Sequence, residues 1–363
     1  MLLKLIVMAL ALSMVAVACD RGDDGGTDDG ADNGAAQEGG NLLNEITERG
    51  SIRCGVNNTV PGFGFEENGE AVGFDIDFCR AFAAALTGSA DNIETTPIDA
   101  DNRFNALRSG EYDVLVRNTT WTSSRDGAEG VFFLHPNFYD GQAMMVRADD
   151  GFGSIADMDG ANICVTSGTT TELNLADYAQ QVDINIEAVT FPENPQLQEA
   201  FIAGSCDGWT SDRSQLAAIR SEWPEGEGGP ESLVVLDDVM SKEPLAPGVL
   251  DSEVDLGDAL NFVVNGMILA EELGVNSNNV DKQAENPDNP SIASLLGVPF
   301  EDGEALDPGL GLPADFMQNV LREVGNYGDV FEKHLGPDTP LGLDRGLNAL
   351  WTEGGIQYAM PLR

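Results

Sequence analysis

Patterns typical of strands and helices alternate twice along this chain, in the same order each time. In the first unit, SIRCGV at residues 51–56 predicts a strand, GFDIDFCRAFAAALTG predicts an amphipathic helix, and YDVLV predicts a buried strand. The second unit repeats this order with ANICV at residues 161–165, the helical TELNLADYAQQ and the strand NIEAVTF. Strands joined by helices of this length form right-handed crossovers in a parallel sheet. The chain is therefore predicted to be α/β, with two similar lobes, each a mostly parallel sheet flanked by helices.

The first 19 residues have the composition of an export signal. One early lysine precedes an apolar run that is too short for a permanent membrane span, and the run ends in VAVAC at Cys19. VAVAC resembles the lipobox of bacterial lipoproteins, in which the cysteine becomes the lipidated first residue; a simple secretory signal is the alternative. We therefore expect a protein of the periplasm or the outer face of the cell membrane, held to the membrane only through lipid on Cys19.

The rest of the chain divides by composition and pattern. Residues 20–41 contain no apolar residue larger than alanine, so they are predicted to form a disordered acidic tether. We expect residues 42–143 to form the first part of lobe 1, residues 144–238 to form lobe 2, and residues 239–299 to return to lobe 1. Residues 300–363 are predicted to be a helical C-terminal extension packed on lobe 1.

The net charge limits the classes of partner that the protein can bind, and the cysteine count limits the possible disulfides. The 62 acidic and 18 basic residues give a net charge of −44, which excludes a nucleic-acid partner because too few cations remain to neutralise phosphates. If Cys19 carries lipid, an even set of four cysteines remains, for which three pairings are possible. A bridge between lobes would oppose their opening, so we predict Cys54 with Cys79 and Cys164 with Cys206. Four buried free thiols are the alternative.

Two polar stretches follow predicted strands, where open α/β sheets bind their ligands. RNTTWTSSRD at residues 117–126 offers hydroxyls and Arg125, and WTSD offers Asp212 on the opposite lobe. A guanidinium with hydroxyl and N–H donors suits an α-carboxylate, and a carboxylate suits an α-ammonium. Together the two stretches could hold a zwitterion. A surface ion pair with Asp126 is the alternative role for Arg125.

The stretch SGTTTELNLADY at residues 167–178 carries a glycine and three threonines where a strand is predicted to turn into a helix. Backbone N–H groups at such a helix start can bind an anion. Thr169 followed by Glu172 also fits a capping box, so helix capping is the alternative to ligand binding.

These stretches, with GFDIDFCRAFA and AGSCDGWTSD, resemble the ordered motifs of family 3 solute-binding proteins of ABC importers. Within that family they are similar to the general L-amino acid-binding group, and the likeness extends from about Leu42 to Arg363. The resemblance implies a two-lobed periplasmic-binding-protein fold of type II. It also implies that the protein captures L-amino acids and delivers them to the permease subunits of an ABC transporter.

The resemblance assigns site residues motif by motif. Arg125 matches the arginine that clamps the ligand carboxylate, Thr120 matches the hydroxyl residue near it, and Asn118 matches a residue that supplies a backbone contact. Thr169 and Thr170 match the threonines that also reach the carboxylate, and Asp212 matches the acid that binds the ammonium group. Relatives that bind basic amino acids have an acid where Asn57 stands and an aromatic residue where Ala100 stands. We therefore expect no preference for cationic side chains.

No enzyme pattern is visible in the sequence. The two histidines, His135 and His334, are far apart, and no HExxH, P-loop or nucleophile-elbow motif occurs, so we expect no catalytic residue, metal or cofactor. The strongest alternative is a dehydratase of the cyclohexadienyl or arogenate type built on a binding-protein fold, which the fold alone does not exclude. We expect the protein to be a monomer.

Overall fold

The computed structural model describes residues 41 to 362, and the predicted signal, Cys19 and nearly all of the predicted tether lie outside this range. The described chain contains fifteen strands and twelve α-helices. The strands are β1 (Ile52–Val56), β2 (Thr59–Val60), β3 (Gly64–Glu67), β4 (Glu70–Val72), β5 (Ile93–Pro97), β6 (Val114–Val116), β7 (Val131–Phe133), β8 (Phe138–Asp140), β9 (Gln142–Arg147), β10 (Ala161–Thr166), β11 (Ile186–Phe191), β12 (Gly208–Asp212), β13 (Leu233–Val235), β14 (Glu243–Leu245) and β15 (Gly248–Leu250).

The helices lie mainly between these strands and after the last of them. They are α1 (Leu42–Arg49), α2 (Phe74–Thr87), α3 (Arg103–Arg108), α4 (Ser123–Gly127), α5 (Thr170–Gln181), α6 (Asn194–Ile202), α7 (Arg213–Ser221), α8 (Val254–Glu272), α9 (Val280–Glu285), α10 (Pro290–Leu295), α11 (Phe316–Glu323) and α12 (Tyr327–His334). Gly88 ends α2 in the left-handed conformation, at φ 80°, which glycine adopts without steric cost.

Two five-stranded sheets have the same strand order. The first sheet runs β5-β1-β6-β15-β7 and the second runs β11-β10-β12-β9-β13. In each sheet the first three strands are parallel and the fourth, β15 or β9, is antiparallel to its neighbours. The predicted α/β class and the two mostly parallel sheets are confirmed. The sequence pattern did not reveal the one reversed strand in each sheet, because a short buried strand gives no sign of its direction.

The chain passes between the two sheets through β8 and returns through β14. These two crossing strands pair with each other in antiparallel register, Phe138 opposite Leu245 and Asp140 opposite Glu243. A single β-bridge between Thr120 and Leu245 ties the pair to the loop after β6. The crossing strands therefore connect the two sheets at one place, and the carboxyl ends of β1, β6, β10 and β12 lie near it.

Helices from the end of the chain complete the core around the first sheet. Helices α11 and α12 pack on α2 and α8, and Phe74, Phe78, Tyr327 and Phe331 form one aromatic cluster. Arg345 lies over the rings of Tyr327 and Phe331 and forms an ion pair of 2.8 Å with Glu271. The predicted helical C-terminal region is present and packs against the first-sheet helices; the exact lobe boundaries stay a prediction.

Both predicted disulfides are present. Cys54 on β1 is bonded to Cys79 on α2, and Cys164 on β10 is bonded to Cys206 in the turn before β12, with Cα separations of 6.4 and 5.6 Å. Each bridge joins the middle one of the three parallel strands to a helix or turn that lies next to the same sheet. Neither bridge crosses between the sheets, so both leave the sheets free to move relative to each other.

Candidate functional site

A polar cavity lies between the two sheets, at the carboxyl ends of their parallel strands. It holds about 420 Å³ of empty space, counted out to its mouth. Loops after β1, β5 and β6 line it from the first sheet, and loops after β10, β11 and β12 line it from the second. The lining residues are Asn57, Ala100, Arg103, Arg117, Asn118, Thr120, Arg125, Thr166, Thr169, Thr170, Thr171, Glu193, Asn194, Ser211, Asp212 and Gln215.

All six residues predicted to bind a ligand line this one cavity. The first sheet contributes Arg125, Thr120 and Asn118, and the second contributes Thr169, Thr170 and Asp212. Residues from separate strands converge here because parallel strands end at the same edge of each sheet. The cavity thus brings buried Arg125 from the first sheet and buried Asp212 from the second sheet to one small space.

Arg125 is held at the cavity by the short helix α4. The Thr122 hydroxyl caps this helix by accepting from the Arg125 backbone N–H, and the Arg125 guanidinium donates to the Thr120 carbonyl at 2.8 Å. The alternative pairing with Asp126 is not formed, since the Asp126 carboxylate accepts from the Trp121 indole at 2.8 Å. Arg125 is only 8% exposed, and this burial lowers its pKa to about 10, against the opposing effect of Glu243 and Asp212. It remains a cation at neutral pH.

Asp212 is the last residue of β12 and is 6% exposed. Burial raises the pKa of its carboxyl well above the usual range, and the nearby acids Asp140 and Glu243 raise it further. Arg125 and the Asn118 side chain act in the opposite direction. A cation placed beside Asp212 would therefore relieve an unfavourable charge, which is the property expected of an ammonium-binding acid.

The two predicted hydroxyls meet across the cavity and share one acid. Thr120 and Thr170 lie 3.3 Å apart, and both donate to the Glu243 carboxylate, at 2.6 and 2.9 Å. Glu243 is 1% exposed and also accepts from Asn174 at 2.8 Å. Because each hydroxyl has only one proton, neither can donate to a bound carboxylate while it donates to Glu243. Sequence reasoning missed Glu243, which lies on the crossing strand β14 in an otherwise apolar segment.

The start of α5 forms the helix cap that its sequence suggested, and it lies at the cavity. The Thr169 hydroxyl accepts from the Glu172 backbone N–H at 3.2 Å, and the Glu172 carboxylate accepts from the N–H of Gly168 at 3.0 Å. In a regular capping box, Glu172 would accept from the N–H of the N-cap residue, Thr169; here it accepts from the N–H of the residue before Thr169. The first N–H groups of a helix have no acceptor within the helix, so those of Thr170 and Thr171 are left at the cavity wall as donors for an anion.

Asn118 is held in an unusual backbone conformation by a buried acid. Its φ of 30° lies in the left-handed region, which few residues other than glycine adopt. Its backbone N–H donates to Asp75 at 2.8 Å, and burial raises the pKa of Asp75 to about 6. The backbone group that Asn118 can offer a ligand is therefore its carbonyl. Its side chain bonds Asn57 and Gln215, each at 3.2 Å.

Three further charged residues were not found from the sequence. Arg117 and Glu193 form an ion pair of 2.9 Å from the first sheet to the second, and Glu193 also accepts from the Ala100 N–H at 2.8 Å. Arg103, at the start of α3, donates to the Gly168 carbonyl at 3.2 Å. All three follow strands of the first or second sheet, and position after a strand was the one sequence signal that could have identified them.

The two sides of the cavity touch each other directly. Besides the contacts of Arg117 and Arg103, the Ser167 hydroxyl donates to Asp101 at 2.7 Å, and a Cβ added to Gly168 would lie 1.9 Å from Asp101 Oδ1. Gly168, at φ 67°, therefore permits both the turn and the close approach of the facing loop. The structure describes a closed arrangement in which the cavity is covered from both sheets.

The chain matches known proteins over most of its length. The model of the bacterial extracellular solute-binding proteins, family 3, matches residues 52–289. The general L-amino acid-binding periplasmic protein AapJ of Rhizobium johnstonii is 42% identical over 88% of this chain and 92% of its own length. The glutamate/glutamine/aspartate/asparagine-binding protein BztA of Rhodobacter capsulatus is 40% identical over 88% of this chain and 93% of its own.

A solved structure is similar over a comparable range. It is an ABC transporter periplasmic binding protein from Brucella ovis with glutathione bound, 39% identical to this chain. The match has a TM-score of 0.83 and covers 89% of this chain and 99% of that one. Within residues 41 to 362 of the present chain, no helix has both the length and the apolar character needed to cross a membrane.

Proposed function

Because the chain belongs to family 3 of the bacterial extracellular solute-binding proteins, we propose that it captures L-amino acids and delivers them to the permease of an ABC transporter. The observation that carries the proposal is the closed cavity that brings buried Arg125 and buried Asp212 together from opposite sheets. An amino acid is a zwitterion of matching charges. Relatives named for amino-acid binding over nearly their full length support the same ligand class.

In the proposed complex, the ligand carboxylate lies on Arg125 and on the N–H groups at the start of α5, and its ammonium lies on Asp212. The Thr120 and Thr170 hydroxyls fill the space between, with their protons held by Glu243. Thr169 acts mainly as the helix cap, and Asn118 offers its carbonyl. Each charge-assisted hydrogen bond contributes roughly 1.5 to 3 kcal/mol to binding. A ligand that lacks either charge loses that contribution and leaves Arg125 or Asp212 buried without a partner.

Closure couples binding to transport in this proposal. The ligand contacts groups from both sheets at once, so it stabilises the closed arrangement over an open one by its differential affinity. The crossing strands β8 and β14 are the place where the sheets can rotate. We further propose a monomer, tethered to the outer face of the membrane through lipid on Cys19; the sequence VAVAC supports the anchor.

The relatives that match over most of the chain are binding proteins, and the chain is a binding protein and not an enzyme. The dehydratase alternative would need an acid positioned over a ring substrate. Two acids line the cavity, and each already has a different role in this proposal. Glu193 pairs with Arg117, and Asp212 faces the proposed ammonium site, so neither is assigned to a ring substrate.

Thermal denaturation with a panel of amino acids tests the proposed function. A neutral or acidic L-amino acid at 100 times its Kd should stabilise the protein by about 2.7 kcal/mol and raise Tm by several degrees. Its D-enantiomer should give a smaller shift, and lysine and arginine should give no larger shift than leucine. The proposal fails if no amino acid raises Tm while a prephenate-like cyclohexadiene is consumed.

A further inference from the structure

Arg103 lines the cavity and forms no ion pair among the residues that the structure describes. Three arginines and two acids line the space, and the buried Glu243 carboxylate lies close enough to Arg125 and Asp212 to affect their pKa values. Arg117 is paired with Glu193, and Arg125 and Asp212 are assigned to the ligand carboxylate and ammonium. Arg103 has no bonded acid among the described residues, and a buried cation in that state is costly.

Arg103 is buried but poorly satisfied. Its side chain is 3% exposed, and its Nε atom has no hydrogen-bond partner among the residues that the structure describes. The one hydrogen bond of its guanidinium in this range is that from Nη2 to the Gly168 carbonyl, at 3.2 Å. Burial and the neighbouring cations Arg125 and Arg117 lower the pKa of Arg103 well below its usual range, and Glu193 opposes them only in part. A bound anion would stabilise such an arginine more than it would stabilise an exposed or already paired one.

Arg103 and Arg125 lie close enough to be bridged by one small molecule. Both guanidinium groups lie over the ring of Phe104, with Cζ atoms at 5.0 and 5.5 Å from its centroid. Arg103 approaches from the start of α3 and Arg125 from α4, so the two present separate donor groups to the same space. Two carboxylates on one ligand could therefore each take one guanidinium.

We propose that Arg103 binds a second carboxylate, carried by the ligand side chain, so that the site prefers acidic amino acids over neutral ones. This inference rests on the proposed function, because it assumes that Arg125 and Asp212 hold the amino-acid backbone groups. It adds a specificity-determining residue. An anionic side chain neutralises the remaining cation and gives its unpartnered donor an acceptor, whereas a neutral side chain leaves both unchanged.

Calorimetric titration of the full chain with L-glutamate, L-aspartate, L-glutamine and L-leucine tests the inference. The wild-type protein should bind glutamate at least about tenfold more tightly than its isosteric amide glutamine. Arg103→Gln should reduce that ratio to near one, and should weaken glutamate at least about tenfold more than leucine. Arg103→Lys, which keeps the charge, should retain part of the preference. Arg108→Gln removes a half-exposed arginine that lies on the same helix as Arg103 and pairs with Glu129. This variant should keep the wild-type ratio.

The inference is overturned if wild-type protein binds glutamine as tightly as glutamate, a result that needs no variant and so holds even if Arg103→Gln does not fold. It is also overturned if Arg103→Gln weakens glutamine and leucine as much as glutamate, since Arg103 would then act on the backbone carboxylate or on the fold. Both outcomes leave the proposed function intact. Only failure of every amino acid to bind the wild-type protein would remove that function as well.

Discussion

Replacing Arg125 with alanine is expected to abolish most amino-acid binding while the protein stays folded. In this variant the ligand carboxylate would have no cationic partner in a cavity that excludes water. Removing one partner of such a buried pair costs about 2 to 5 kcal/mol. That corresponds to a loss of affinity between about thirtyfold and several thousandfold. Among the described residues, the Arg125 side chain donates one hydrogen bond, to the Thr120 carbonyl, and lies over the Phe104 ring, so the cost to folding should be smaller.

Calorimetry and circular dichroism measure the two effects separately. Arg125→Lys should bind with intermediate affinity, since it keeps the charge but loses the planar pair of donors. Arg108→Ala is the matched control, because Arg108 is a half-exposed arginine at the end of α3, paired with Glu129 at 2.6 Å. Normal affinity in Arg125→Ala would show that the carboxylate binds elsewhere.

Replacing Asp212 with asparagine is expected to lower affinity by a similar factor for the opposite reason, since the ligand ammonium loses its charged partner. The ligand-free protein should become no less stable. In the native protein the buried carboxylate is disfavoured by desolvation and by Asp140 and Glu243, and the neutral amide removes these penalties without a change of shape. A fall in Tm with unchanged affinity would contradict this assignment.

The pH dependence of the same variant gives an independent check. The folded-state pKa of Asp212 is raised, so its carboxylate destabilises the ligand-free protein at neutral pH, and that protein gains stability as pH falls through the raised pKa. Ligand binding requires the charged form, so affinity should fall over the same pH range. In Asp212→Asn, the part of both trends that is due to this residue should disappear.

The sequence was informative wherever one local pattern determines the result. The repeated strand and helix order predicted both sheets, because each crossover is a local event, and lobe membership predicted both disulfides. Arg125, Asp212 and Thr169 could be found because each lies at or after the end of a recognisable strand, at the edge where ligands bind. These features need no knowledge of how distant segments meet.

The parts that the sequence did not reveal depend on distant segments meeting. Glu243 reaches the two threonines only because β14 returns between the sheets, more than 70 residues after Thr170. Arg103 shows its importance only when its burial and its missing partner are known. Asn118 was expected to supply a backbone contact, and nothing in the sequence showed that Asp75, from α2, accepts from its N–H. No pattern in RNTTWTSSRD indicates that contact.

A crystal structure of the full chain with a bound L-amino acid would show which groups hold its carboxylate and its ammonium. We expect a closed protein with the α-carboxylate oxygens within about 3 Å of the Arg125 guanidinium and the ammonium nitrogen within about 3 Å of the Asp212 carboxylate. An amino acid bound in this cavity with neither contact, or bound outside it, would contradict the account.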